Sequence, residues 1–218
     1  MKIKLLHYTP LEVCTHAIRT CRNSFDKSDN GGEKDKKLIY KVGNKLKHSS
    51  TLEHLIYSFY IQGISRACLQ DLARHRMASL SVKSTRHTLN ELKEEDTFLS
   101  RENSLNEDVN EFSILARASR YIVLTDNNEV NKYSVIALEN LRKLLVAGIP
   151  NDIAKYALPE CYKTELTWTI NARSLQNFLT LRSDKSALWE IRDLAKGIFK
   201  ALPNEHKYLF EDYIKEPQ

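Results

Sequence analysis

The chain has 218 residues, 42% of them hydrophobic, which suffices for one sizeable core or a core with a helical subdomain and excludes a disordered chain. Its 33 Lys and Arg against 28 Asp and Glu leave a formal charge of +5, a mild bias that favours anionic partners without naming one. No window approaches the roughly 18 apolar residues of a membrane span, the opening MKIKLLHYTPLEV lacks the apolar run of a secretion signal, and four cysteines without a CxxC pair read as reduced, mostly buried thiols, so a cytoplasmic protein is expected.

In chain order, KIKLLHY reads as a strand. Pro10 sits where a helix can begin, with Leu11, Cys14, Ala17, Ile18 and Cys21 along one face. RNSFDKSDNGGEKDKK is polar and holds Gly31 and Gly32, which predicts a flexible loop. Leu38, Ile39, Val42 and Leu46 fall at helical spacing over residues 35–47. HLIYSFYIQGI alternates, with Leu55, Tyr57, Phe59 and Ile61 on one side, which predicts a strand ended by Gly63. ISRACLQDLARHR then places Ile64, Ala67, Cys68 and Leu72 on one helical stripe, with RHR at the C-terminal end and a loop after it.

Two helices are predicted over roughly 103–147, separated by TDNN and stopped by AGIP. IAKYALP reads as a short helix, YKTELTWTI as a strand, and SLQNFLTLR and SALWEIRDLAKGIFKAL as helices. Strands near both ends with helices between them give no βαβ rhythm. The expected class is α+β, a central antiparallel or mixed sheet with packed helices and a mostly helical subdomain, as one domain over 1–218 with a helical insertion at roughly 103–147.

Three stretches carry polar chemistry. In RHRMASLSVKSTRH, Arg74 and Arg76 bracket His75 where cations already favour a helix C-terminus, but Ser79, Ser81, Ser84 and Arg86 follow, and hydroxyls interleaved with guanidinium forks suit an anion. The stretch has no aromatic residue for base stacking and its charge is short, so a small anionic molecule fits better than nucleic acid. WTINARSLQNFLTLRSD sets Asn171 and Arg173 where a strand gives way to a helix, with Asn177 and Arg182 farther along it; an N-capping Asn with surface arginines and a polar site both fit. KHSSTLEH gathers His48, Ser49, Ser50, Thr51, Glu53 and His54 before a strand, without the ligand spacing of a metal site, and no metal is expected. GxGxxG, GxxxxGK and GxSxG are all missing, and no cysteine stands in an obviously electropositive setting except Cys68, which its stripe places in the core.

RHR, seven residues and Ser resembles the signature of the flavin-dependent thymidylate synthases, and RNSFD, the Glu53-His54 pair, WTINARSLQNFLTLR and WEI follow that family in the same order. The resemblance covers residues 20–192. It implies that family's fold and a homotetramer with active sites where subunits meet. It also implies bound FAD, dUMP stacked near the flavin, and methylation of uracil C5 with carbon from methylenetetrahydrofolate and hydride from flavin reduced by NADPH. By resemblance, His48, Ser50, Arg74, His75, Arg76, Asn171, Ala172, Arg173 and Asn177 contact FAD. Arg74, Ser84, Arg86, Lys155 and Arg182 contact dUMP, and Arg182 is the catalytic residue that activates the pyrimidine.

The chain departs from the family's pattern at several places. Val82 stands where many members have Glu, Lys155 where Arg is expected, Asp71 where a Gln is usual, and His87 where a Tyr is. Lysine keeps the charge of an arginine and loses its bidentate fork. Two other readings are a nucleic-acid-binding protein and a family member that binds flavin and nucleotide without turnover.

Overall fold

The computed structural model describes residues 1–99 and 108–215, so the first residues of the predicted helical insertion lie outside the described residues. Strand β1 (Lys2–Tyr8) leads to helix α1 (Leu11–Thr20), with Pro10 just before it. Leu11, Cys14, Thr15 and Arg19 form the buried face of α1, while Cys21 lies past its end and is exposed. All four cysteines are free thiols, and only Cys14 and Cys68 are fully buried.

The segment expected as a flexible loop is pinned instead. Arg19 donates to the carbonyls of Ser24 (3.1 Å) and Lys27 (2.9 Å) and pairs with the fully buried Asp35 at 2.6 Å. The other oxygen of Asp35 accepts from Ser28 Oγ at 2.6 Å and from the Gly31 amide at 3.1 Å. These bonds organise a 3-10 turn at Phe25–Lys27 and hold the start of helix α2 (Glu33–Ile39), which continues as a π-helical turn over Tyr40–Lys45. Gly43 in that turn meets the Leu52 side chain so closely that a Cβ would lie 2.7 Å from it.

Strand β2 (Ile56–Ser65) buries Tyr57, Phe59 and Ile61 in alternation, as its period predicts. Gly63 does not end it. With φ +75° it interrupts the alternation, so that Ile64, expected on the next helix, is buried within the strand together with Ser65. Helix α3 (Arg66–Ala73) follows, then strand β3 (Ala78–Val82), where a loop is expected from the sequence. Strand β4 (Lys163–Asn171) buries Thr164, Leu166, Trp168 and Ile170 in strict alternation. The sheet order is β1-β2-β4-β3, with β1 antiparallel to β2 from Lys2↔Gln62 to Tyr8↔Tyr57. β3 takes the edge beside β4, a position that asks little apolar surface of it.

The chain divides into two compact units: Met1–Gln62 with Gln70–Ser81 and Leu166–Gln218, and Gly63–Leu69 with Val82–Glu165. The first holds most of the sheet, α1, α2, and the two helices after β4, labelled below. Its core packs Phe59, Trp168 and Phe178 against one another, Trp168 and Phe178 edge to face, and the buried His206 shares a 2.8 Å hydrogen bond with the Tyr57 hydroxyl. The second carries the short helices α4 (Thr85–Thr88) and α5 (Asn90–Lys93), then α6 (Asp108–Ala118), α7 (Asn128–Val146) and α8 (Asn151–Ala154). The last two helices are α9 (Ala172–Arg182) and α10 (Trp189–Ala201).

The helical unit has a core of its own. Leu92, Phe98, Ile122, Leu138, Leu141 and Leu145 pack together. The fully buried Glu139 on α7 receives Phe98 N, Thr97 Oγ1 and the Arg142 guanidinium. That carboxylate ties an irregular segment to a helix, because a buried charge is tolerable only when its lone pairs are occupied.

Candidate functional site

The sheet-based unit contains a cavity of about 740 Å³ lined by Glu53, Arg74, His75, Arg76, Met77, Asn171, Arg173, Ser174, Asn177, Leu181 and Arg182. Three elements build it. α3 stops at Ala73, so Arg74, His75 and Arg76 lie in the link to β3, which opens with a turn in which the Arg74 and His75 amides donate to the Asp71 and Leu72 carbonyls. β4 ends at Asn171, whose side chain accepts from Ser174 N at 2.9 Å and so starts α9. The two sequence readings of Asn171, helix cap and site residue, therefore describe one side chain.

Along α9, Arg173, Asn177 and Leu181 recur every four residues and face the cavity, while Ala172, Leu175, Phe178 and Leu179 face the core. The helix opens its N-terminus on the cavity, which adds the positive end of its dipole to the arginines. Four guanidiniums and one carboxylate line the space, and that carboxylate, Glu53, is already paired with Arg173 at 2.7 Å. The net field favours an anion.

Arg182 is tied down by its neighbours. Nε donates to Nε2 of His75 at 3.0 Å, Nη2 donates to the Asp71 carbonyl at 3.1 Å, and Nη1 lies 3.5 Å from the Asp71 carboxylate. Burial, and then the Arg182 cation, push the pKa of His75 down to about 4, so the ring is neutral at physiological pH. Its edge packs on Phe178 with ring centroids 5.0 Å apart.

Of the residues expected at the flavin, Arg74, His75, Arg76, Asn171, Arg173 and Asn177 line this one cavity together with Arg182. His48 precedes, and Ser50 belongs to, the 3-10 turn Ser49–His54, which carries Glu53 to the cavity; both side chains are exposed outside the lining. Ala172 is fully buried, and its amide donates to the Leu55 carbonyl at 2.8 Å. Ala172 thus anchors α9 to the chain before β2.

Ser84, Arg86 and Lys155 belong to the helical unit. Ser84 precedes α4, and Arg86 forms a bidentate pair with Asp152, Nε to Oδ1 at 2.6 Å and Nη2 to Oδ2 at 3.1 Å. Asn151 Nδ2 donates to the Arg86 carbonyl at 2.9 Å, and Lys155 lies one helical turn beyond Asp152. Asp152 carries no signal in the sequence, and Asp71 stands out there only as a departure from the family's Gln; the arginine that marks each as part of a pair is distant along the chain.

Arginines, a neutral histidine and a helix N-terminus around a space of this size, in an α+β chain, define a pocket for a nucleotide-like anion. Residues 4–206 match the family described as thymidylate synthase complementing protein. The flavin-dependent thymidylate synthase of Wolinella succinogenes is 64% identical over 210 residues, 96% of this chain and 97% of that one. The Helicobacter pylori enzyme of the same name is 59% identical over 216 residues, 99% of this chain and 100% of that one. The crystal structure of the flavin-dependent thymidylate synthase ThyX from H. pylori, complexed with FAD and dUMP, superposes with a TM-score of 0.91 at 58% identity, covering 99% of this chain and 100% of that one. The chain belongs to the flavin-dependent thymidylate synthase family.

No described helix is long and apolar enough to cross a membrane. Among the described residues, no three His, Cys, Asp or Glu side chains gather as a metal site.

Proposed function

We propose that the chain, acting as one domain, is an FAD-dependent thymidylate synthase that methylates dUMP at C5 to dTMP, working in the cytoplasm as a homotetramer with active sites where subunits meet. Methylenetetrahydrofolate gives the carbon and NADPH the reducing equivalents. The observation that carries this reading is the cavity itself: six residues expected at the flavin converge there with Arg182, in a chain similar over its whole length to a protein solved with FAD and dUMP.

The donor set suits FAD. Its phosphates need cationic forks and a helix N-terminus, which Arg74, Arg76, Arg173 and α9 supply, and its ring system needs apolar wall, which Met77 and Leu181 offer. Bound there and reduced by NADPH, the flavin would supply the hydride that completes the methyl group. Asn171 and Asn177 offer amide groups for orientation. Beside O2 and N3 of the uracil, the cation of Arg182 stabilises negative charge as C5 becomes the nucleophile, a preorganised electrostatic effect. No cysteine nucleophile is needed, and burial pushes the Cys14 thiol up to about 12, far from a thiolate.

Ser84, Arg86 and Lys155 hold the dUMP phosphate. Arg86 and Asp152 are each about half exposed, so solvent screens their pair and it yields readily to a phosphate. The test is dTMP formation from dUMP with FAD, methylenetetrahydrofolate and NADPH. The protein is expected to turn yellow with FAD, to oxidise NADPH faster when dUMP is added and to release dTMP. A preparation that never binds FAD, or NADPH oxidation without dTMP, contradicts the proposal.

A further inference from the structure

Arg182 is the last residue of α9, and its side chain is 15% exposed. A guanidinium carries five N–H donors in a fixed fork. The hydrogen bonds to His75 Nε2 and the Asp71 carbonyl take the Nε donor and one donor of Nη2, and Nη1 stands at ion-pair distance from the Asp71 carboxylate, which leaves at least one N–H on each terminal nitrogen for a ligand in the cavity. Asp71 itself lies on α3, outside the cavity lining, with its side chain 25% exposed. The same carboxylate is 3.6 Å from Arg74 Nη1, so one residue tethers two cavity arginines that come from different elements. The Arg74 side chain is 75% exposed, and that contact is weak. The partly buried Arg182 is where the carboxylate matters.

Resting on the reading that Arg182 faces the pyrimidine, we infer that Asp71 is the positioning residue for Arg182. Its carbonyl and carboxylate fix the plane and rotation of the guanidinium and aim the two remaining N–H groups at the nucleotide. Asp71 touches no reacting atom. It acts by removing rotamers from an arginine whose value lies in preorganisation.

The experiment compares FAD-loaded wild type, Asp71→Asn, Asp71→Glu, Arg182→Lys and the double variant Asp71→Asn/Arg182→Lys, reading kcat and KM for dUMP alongside the Kd for FAD. Asp71→Asn is expected to lower kcat roughly tenfold with FAD affinity unchanged, and Asp71→Glu, which restores the charge, to recover most of it. In the Arg182→Lys background, which has no planar fork to aim, Asp71→Asn should cost less than about twofold. Asp71→Ser repeats the comparison should the Asn variant not fold. Wild-type kcat in Asp71→Asn, an equal loss in both backgrounds, or a loss that tracks FAD release overturns the inference. Full activity in Arg182→Lys would instead overturn the role given to Arg182, so the two failures are told apart.

Discussion

Nε2 of His75 accepts its bond from Arg182, which fixes the imidazole proton on Nδ1 and requires a neutral ring. Burial and the Arg182 cation take the His75 pKa to about 4, against an unfolded value near 6.5. Burial lowers His206 in the same direction. In both cases the unfolded chain binds the proton first, so the stability these groups contribute is complete above about pH 6.5 and is lost as pH falls below it, for His75 towards about 4. The urea midpoint is expected to hold between pH 7.5 and about pH 6.5 and to fall from there to pH 5, and a profile flat down to pH 5 would contradict the neutral imidazoles. Arg173 makes a different prediction. Its pair with Glu53 is about half exposed on both sides, so Arg173→Ala should change stability by less than about 0.5 kcal/mol while raising the Kd for FAD roughly tenfold. Unchanged flavin affinity would remove Arg173 from the binding site. At this scale the sequence is informative wherever a site is one continuous stretch, as in RHR or NARSLQN. Arg182 and Asp71 are 111 positions apart and Arg86 and Asp152 are 66 apart, and only the fold makes either pair.

Among the elements, the clearest difference between expectation and structure is the segment after α1. Its composition is that of a loop, and glycines and polar side chains do predominate, but the pairing of Arg19 with Asp35 converts it into ordered structure. Composition measures what a segment can bury by itself; it is blind to one residue supplied by the preceding helix. Asp35→Ala strands the Arg19 cation in the interior, and breaking such a buried pair costs roughly 3–5 kcal/mol, to be read as a fall in the urea midpoint. A change under about 1 kcal/mol would mean that the network is incidental. β3 carries little strand signal for a related reason: its alternation of Ser79 and Ser81 with Ala78 and Leu80 holds few apolar residues, and it forms because β4 offers a paired edge. β2 and β4 were legible because one face of each is wholly buried, and strict alternation is the signature of that arrangement.

For the molecule as a whole, the α+β class follows from strands at both ends of the chain, and the structure and its relatives have it. What sequence patterning does not reveal is that residues 63–69 join 82–165 in a separate compact unit, since helical periodicity shows that a face is buried without showing against what. Binding couples to this stability: a ligand held only by the folded chain adds about 2.7 kcal/mol at a hundredfold excess over its Kd. FAD is therefore expected to raise the melting temperature in a concentration-dependent way, and an unchanged value at saturating FAD would exclude specific binding. The central claim is that the hydride completing the new methyl group comes from flavin and not from folate. The folate product of the reaction tests it most directly. If flavin supplies the hydride, the folate leaves at the tetrahydrofolate level as dTMP appears; dihydrofolate formed in step with dTMP would show that folate is the reductant and would contradict the account.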